Sequence, residues 1–295
     1  MSTDRPEPGL GEILVRVEAA GVNPVDWRTR ADGGLGTLGR PPFVLGWDVA
    51  GTVEATGPGV TLFKPSDRVM GMPRFPYEAG TYAEFVTGPA RQFVHAPDRL
   101  GHTEAAALPL AGLTAWQALT EAAAHGEGKH VLVHGAAGGV GHLAVQIAAA
   151  QGARVTAMAR TAHHERLRAL GAEEVVDYTG TELALTGAQA DTVIDTIGGS
   201  CTEQSLEALR PGGTLVTLPG PPDQATLQRA EAAGKHLLFM LVEPDRTGLL
   251  ALAELVDRHQ LTPAVAATFP LTDAGQAHRL AEAGGKFGKV VLERA

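Results

Sequence analysis

Residues 131–147 read Val-Leu-Val-His-Gly-Ala-Ala-Gly-Gly-Val-Gly-His-Leu-Ala-Val-Gln-Ile. An apolar run of strand type enters a glycine-rich turn, and small and apolar residues of helical type follow at once. A buried strand feeding directly into a helix belongs to a βαβ unit, in a parallel sheet covered by helices. Gly135, Gly138 and Gly141 are spaced G-x-x-G-x-x-G, a variant of the G-x-G-x-x-G fingerprint. Gly138 and Gly139 let backbone N–H groups approach a diphosphate, and the helix N-terminus adds partial positive charge. Gly141 permits close helix–strand packing. A glycine triplet alone also serves ordinary tight turns. Its place between a strand and a helix is what points to a dinucleotide, with Gly135, Ala137 and Val140 counted in the binding turn.

The rest of the chain supports that reading. Strand-like runs at 154–159, 174–178, 191–197 and 214–218 alternate with helical patterns at 163–170 and 202–209, and an apolar run at 237–242 closes the series. Before Leu108 the texture differs. Alternating Ile13, Val15 and Val17 mark a strand over 11–22, and short apolar stretches at 43–53, 67–71 and 82–86 are punctuated by Gly and Pro. No helical periodicity is visible before Glu104, so this part reads as a β-rich domain. Beyond 245 come a helix at 246–259, an apolar stretch at 268–271, a helix at 273–283 and a strand at 288–293. At 295 residues, two domains are expected. The division predicted is 1–111 with 246–295 for the β-rich domain, and 112–245 for a doubly wound α/β domain of Rossmann type.

In NAD binders a carboxylate ends the second strand and bonds the adenosine 2′-OH. Here that place reads Thr156-Ala-Met-Ala-Arg160-Thr-Ala-His163-His164, with no carboxylate. A guanidinium suits a 2′-phosphate through charge-assisted bonds. The expected cofactor is therefore NADPH, held by Arg160 with donors from His163 or His164. The other reading makes Arg160 a solvated loop residue and the histidines helix caps.

A net charge of −9 excludes a nucleic-acid or anionic-membrane surface, since both call for a basic field. No apolar run approaches the ~18 residues of a membrane span. The single cysteine, Cys201, rules out an intrachain disulfide and a cysteine-rich zinc lobe. The start carries no apolar leader, and the expected location is the cytoplasm.

Stretches spanning nearly the whole chain then carry a resemblance. They are AAGVNPVDWR (19–28), LGWDVAGTVEATGPGV (45–60), SDRVMG (66–71), GTYAEFV (80–86), ALPLAGLTAWQAL (107–119), VLVHGAAGGVG (131–141), LGAEEVVDY (170–178), DTIGG (195–199), LRPGGTLVTL (209–218) and GKVVL (288–292). The chain resembles the medium-chain dehydrogenase/reductase superfamily, and within it the zinc-free, zeta-crystallin-like quinone oxidoreductases. That resemblance implies a GroES-like catalytic domain completed by the C-terminal segment. It places Gly138, Gly139, Val140 and Gly141 on the pyrophosphate, and Arg160 and Tyr178 near the 2′-phosphate and ribose. Asp195, Thr196 and Ile197 fall near the cofactor ribose, and Leu218, Pro219 and Gly220 near the nicotinamide. Asn23, Asp48 and Thr114 line the cleft as catalytic candidates, and Phe287, Gly288 and Lys289 return to the same site.

Three departures qualify what is implied. Zinc-dependent relatives carry Cys-His and His-Glu in the segments matching 21–24 and 46–48. Asn23 and Trp47 stand there instead, so no metal is expected. The chain also begins late, which reads either as a misassigned start or as a trimmed β domain. Finally, the substrate-loop tyrosines frequent in this branch are not evident over 26–39, and 219–223 replaces a Lys-containing motif of the enoyl-reductase cousins.

The function expected is hydride transfer from NADPH to a quinone or an activated enone or enal, with the Asn23 amide or Thr114 hydroxyl stabilising the acceptor oxygen. Two rivals stand beside it: an enoyl-thioester reductase and a cofactor-binding protein without turnover. Asp48 is either a general acid or a structural residue. Trp27 and Trp47 form either an aromatic wall for a flat acceptor or ordinary packing. His95, His102 and His125 lack metal-like spacing. Cys201 opens a helix, where its pKa would fall, or simply packs. The run at 237–242 is expected to pair with its twin in a homodimer.

Overall fold

The computed structural model describes residues 4–38, 41–120, 126–178 and 188–294. Strand β1 (Glu12–Val22), α1 (Pro24–Asp32), β2 (Val49–Thr56), β3 (Arg68–Gly71), β4 (Phe85–Pro89) and β5 (Phe93–His95) come first. Helices α2 (His102–Ala106) and α3 (Pro109–Thr120) lead to β6 (His130–His134), α4 (Gly141–Ala150), β7 (Arg154–Met158), α5 (His164–Ala169), β8 (Glu174–Val176) and β9 (Ala190–Asp195). The remainder is α6 (Ser200–Ala208), β10 (Leu209–Thr217), α7 (Gln224–Ala232), β11 (His236–Phe239), α8 (Arg246–Asp257), β12 (Val265–Pro270), α9 (Ala274–Ala283) and β13 (Lys289–Glu293).

Two compact units result. The first holds Met1–Leu113, Glu243–Arg258 and Pro263–Ala295, and the second holds Thr114–Val242 with His259–Thr262. The divisions fall at 113/114 and 242/243 rather than at 111/112 and 245/246. Residues 259–262 join the second unit because Gln146 clasps Thr262, accepting its N–H at 2.9 Å and donating to its carbonyl at 3.2 Å.

In the first unit, a seven-stranded sheet runs β12-β13-β1-β2-β3-β5, with β4 also on β1. The long β1 buries Ile13, Val15 and Val17 against Val49, Val53, Val69, Phe93, Val290 and Leu292. Each such side chain contributes about 1.5–3 kcal/mol of burial. Strand β13 pairs antiparallel with β1, so that Val22 lies opposite Val290 and the chain's end completes its beginning.

The first unit also contains a helix that apolar periodicity does not announce. Helix α1 buries polar Asp26 and Thr29. Pro24 at its first turn and the Asn23 N–H, which donates to Asp26 Oδ2 at 2.6 Å, start it. Helix α7 is equally silent in sequence; Asp223 caps it by accepting the Thr226 N–H at 2.7 Å.

The second unit is a six-stranded parallel sheet ordered β11-β10-β9-β6-β7-β8. Read from its other edge and renumbered, this is the 3-2-1-4-5-6 order of a dinucleotide-binding fold, with the direction of winding reversing between β6 and β9. The apolar run at 237–242 yields a shorter strand than its composition suggests, because β11 ends at Phe239. No helix among the described residues is long and apolar enough to cross a membrane.

Candidate functional site

The glycine turn follows β6, at the switch point. Gly135 adopts a φ of +62°, and a Cβ at Gly141 would lie 2.3 Å from the Gly135 carbonyl oxygen, so only glycine lets α4 start this close to the turn. Within the turn the Gly138 N–H donates to the Gly135 carbonyl at 2.8 Å. The amides of Gly139 and Val140 have no backbone partner among the described residues, and both residues are partly exposed. Unpaired N–H groups in a glycine-rich turn before a helix fit a diphosphate.

Neighbouring strands build the rest of this edge. Thr196 Oγ1 donates to the His134 carbonyl at 2.8 Å, tying the loop after β9 to the end of β6. Asp195 is fully buried, and its carboxylate accepts from Ile197 N (2.9 Å), Gly198 N (3.0 Å) and Thr202 Oγ1 (2.5 Å). It therefore shapes the loop rather than reaching outward. The Leu218 N–H donates to the Asp195 carbonyl at 3.0 Å, which brings Leu218, Pro219 and Gly220 to the same end of the sheet, partly exposed. Ile197 and Tyr178 are exposed. Arg160 is exposed just past β7, and its guanidinium has no ion pair among the described residues. His163 is partly buried in the 3-10 turn beyond it, while His164 Nε2 bonds the Ala159 carbonyl at 3.0 Å.

Asn23, Asp48 and Lys289 are brought together, in the first unit. Lys289 Nζ donates to the Val22 carbonyl (2.9 Å), to Asn23 Oδ1, and to Asp48 Oδ2 (3.2 Å). Asn23 Nδ2 donates to Asp48 Oδ2 at 2.7 Å, and the Leu110 N–H donates to Asp48 Oδ1 at 2.6 Å. The three residues are 2%, 0% and 4% exposed. The resemblance sends Asn23 and Lys289 to the cofactor cleft, and here each is tied into a buried cluster. All three Lys289 N–H groups have acceptors inside the unit. One Asn23 Nδ2 N–H is committed to Asp48, and the side chain is buried beside an ammonium and a carboxylate. Phe287 is likewise buried. Thr114, on α3, belongs to the second unit and is nearly buried.

A second polar chain lies in the first unit and was not legible in the sequence. Tyr82 OH donates to Asp26 Oδ2 at 2.9 Å, lies 3.3 Å from His278 Nε2, and Arg30 reaches His278 Nδ1 at 3.0 Å. Because Arg30 can only donate, Nδ1 accepts and the proton is assigned to Nε2. Burial raises the Asp26 carboxyl to about 7, against the lowering effect of the Asn23 amide, Tyr82 and Lys289. Burial and Asp26 push the Tyr82 phenol up, and burial and Arg30 hold His278 below its usual range. The only available signal was Asp26 two residues past a proline; Tyr82 and His278 are 56 and 196 positions from their partners.

Several open readings resolve. Trp47 is core: its Nε1 donates to the Tyr77 carbonyl at 2.7 Å, and its ring meets Phe75 edge-on. Trp27 packs edge-on against His278. His95 tilts against Phe63. His102 is held below its usual pKa by burial, and His125 lies outside the described residues. Cys201 has no lowered pKa. Burial pushes it up to about 12, and its Sγ lies 3.1 Å from His134 Nδ1, whose Nε2 is 2.9 Å from Ser205 Oγ.

The chain matches the zinc-binding dehydrogenase family over residues 170–292 and the alcohol dehydrogenase GroES-like domain over residues 9–98. A mitochondrial NAD(P)H oxidoreductase of Mus musculus is 34% identical, over 95% of this chain and 81% of its own. A chloroplast envelope quinone oxidoreductase homolog of Arabidopsis thaliana is 34% identical, over 98% and 91%. A mycocerosic acid synthase-like polyketide synthase of Mycobacterium tuberculosis is 34% identical over 98% of this chain but only 14% of its own length. Among solved structures, the quinone oxidoreductase of Coxiella burnetii superposes with a TM-score of 0.92 at 34% identity, covering 99% of this chain and 93% of that one. A mycobacterial relative complexed with NADPH gives 0.86 at 33% identity, covering 99% and 94%. With the glycine cradle and two-unit fold in place, these likenesses show that the chain belongs to the medium-chain dehydrogenase/reductase superfamily, among its quinone oxidoreductases, and is an oxidoreductase of the NAD(P)H-dependent kind.

Proposed function

We propose that the protein reduces a quinone or an activated enone or enal with NADPH, without a metal. The observation that carries the reading is the glycine turn after β6, with the Gly139 and Val140 amides left for a diphosphate. Arg160, exposed past β7 where no carboxylate stands, favours the 2′-phosphate of NADPH over NADH. The bound cofactor would supply a hydride. The chain's own part is to hold the diphosphate at 138–141 and the 2′-phosphate at Arg160. Leu218–Gly220 would border the nicotinamide, and the Thr114 hydroxyl would donate to an acceptor oxygen as it gains charge.

Zinc does not fit the residues present. No three of His, Cys, Asp and Glu come together among the described residues. Both Asp48 oxygens already accept hydrogen bonds, and the one cysteine lies in the second unit with its Sγ 3.1 Å from His134 Nδ1. An acceptor that hydride can reduce without a Lewis acid suits such a centre.

A second reading, an enoyl-thioester reductase, is favoured by the polyketide synthase likeness. NADPH oxidation measured against a panel of quinones, enones and a crotonyl thioester separates the two. We expect turnover with the first two classes and little with the third. Preference for the thioester would replace the reading. NADPH binding with no oxidation by any acceptor would leave a protein that binds the cofactor without turnover.

The reading includes a homodimer formed through β11, the edge of the parallel sheet, beside which Leu238, Phe239 and Leu241 are exposed. Sedimentation at micromolar concentration tests it, and Phe239→Lys should yield monomer.

A further inference from the structure

The cluster around Lys289 raises a question that hydride transfer does not answer. A lysine is rarely buried without a purpose, and this one joins residues 267 positions apart, from Val22 to Lys289. We propose that the Lys289 ammonium is the resident cation of the first unit. It holds the Asn23 carboxamide and the Asp48 carboxylate in one orientation, and it occupies the place a divalent metal would need.

The geometry leaves little freedom. An ammonium has three donors and no acceptor, and here the donors meet Val22 O, Asn23 Oδ1 and Asp48 Oδ2. Asn23 must turn its oxygen to Lys289 and its nitrogen to Asp48, because the first partner only donates and the second only accepts. The amide orientation is therefore dictated chemically. Asp48 Oδ1 is taken by the Leu110 amide, so the carboxylate is bonded at both oxygens.

The surroundings are built to the same shape. A Cβ at Gly21 would sit 2.6 Å from Asp48 Oδ2 and 2.5 Å from the Ala106 carbonyl oxygen, so a side chain there is excluded. Gly288, beside Lys289, adopts a φ of +89°, and a Cβ on it would lie 2.2 Å from the Ala264 carbonyl oxygen. The strand carrying Lys289 thus enters at a bend only glycine makes. A metal ion would have to displace a tethered charge from a nearly dry site, with one carboxylate and one amide as its protein ligands. Neither the charge nor the donor set favours that exchange.

The inference rests on the metal-free part of the proposed function but not on any acceptor, so its test is read without turnover. Purified full-length protein is incubated with equimolar zinc chloride, desalted and assayed for metal, and its Tm is taken with and without a chelator. We expect less than about a tenth of a zinc per chain and no chelator effect. Lys289→Ala should lower Tm by roughly 10 °C, since it strands a buried carboxylate. Adding n-propylammonium chloride, which matches the deleted atoms, should recover much of that loss, while equal n-propanol or potassium chloride should not.

If Lys289→Ala does not fold, the neutral pair Lys289→Met with Asp48→Asn decides. A Tm near that of the wild type supports a charge that serves only its partner, and failure to fold overturns it. Stoichiometric zinc with a chelator-sensitive Tm also overturns the proposal. So does a Lys289→Ala protein of unchanged Tm whose NADPH dissociation constant rises tenfold, which would return Lys289 to the cofactor. An inactive wild type would sink the proposed reaction while leaving these readings intact.

Discussion

The two units handle polar groups in different ways. In the second, the edge proposed for the nucleotide is built from backbone: glycine amides, strand ends and loop carbonyls, with Asp195 and Thr196 spent on shaping the loops. In the first, side chains do the work: charge is buried in the Asn23–Asp48–Lys289 cluster, and groups held toward their neutral forms make the chain from Asp26 through Tyr82 to His278. A backbone site tolerates many side chains but no added Cβ at its close contacts. A side-chain cluster tolerates small adjustments of the backbone but not the loss of one charge. Substitutions in the two units should therefore fail differently.

The largest effect should come from Gly141→Val. Its Cβ would lie 2.3 Å from the Gly135 carbonyl oxygen, and neither backbone can retreat. We expect NADPH affinity by calorimetry to fall about 100-fold or more. Unchanged binding would mean that the turn does not hold the diphosphate. Next is Asp48→Ala, which leaves the Lys289 ammonium buried without its counter-charge. Urea unfolding should show a loss of about 3–5 kcal/mol. A loss below about 1 kcal/mol would show that the first unit does not depend on buried charge.

Arg160→Ala sharpens the comparison from the exposed side. A charge-assisted bond to phosphate is worth about 1.5–3 kcal/mol, so NADPH should weaken about 10- to 100-fold with NADH little changed. Equal weakening of both would remove Arg160 from the 2′-phosphate.

Asp26→Asn should show itself in pH dependence. The folded carboxyl titrates near 7, whereas the unfolded group titrates near 3.8. Between those values the folded chain keeps a proton that the unfolded chain has released, so wild-type stability falls as pH rises through that window and levels off above it. The asparagine variant lacks this decline, and its Tm relative to wild type should rise by a few degrees between about pH 4 and pH 7. A constant difference across that range would show that Asp26 is ionised throughout.

The smallest effect is expected of Cys201→Ser, at under about 1 kcal/mol. The native thiol, held protonated by burial, should resist iodoacetamide at pH 8 in folded protein and react in urea. Fast alkylation of the folded protein would reveal the lowered pKa that a helix start suggests.

What was legible in sequence follows the same division. The turn at 135–141 and the alternation of β6 to β10 with their helices are local patterns, each contained in a short window. Helix α1 was invisible because its buried face is made of Asp26 and Thr29, which apolar periodicity does not register. Sequence leaves Trp47 open between wall and packing, and its hydrogen bond to Tyr77, far along the chain, decides for packing. The Lys289 cluster is illegible for a related reason: the stretch 288–292 resembles the family locally, but nothing local says which way a lysine side chain turns.

By itself, the order of residues determined a parallel sheet of dinucleotide-binding type, the glycine turn after β6 and the absence of a carboxylate beyond β7. Spacing along one segment is enough to set those features, because backbone hydrogen bonding and glycine conformation act over a few residues. Only the tertiary structure decided that Asn23, Asp48 and Lys289 meet, and that Asp26, Tyr82 and His278 form a chain. Buried charges choose their partners by distance in space under weak screening, and pairing β13 with β1 brings together side chains that the sequence keeps at opposite ends.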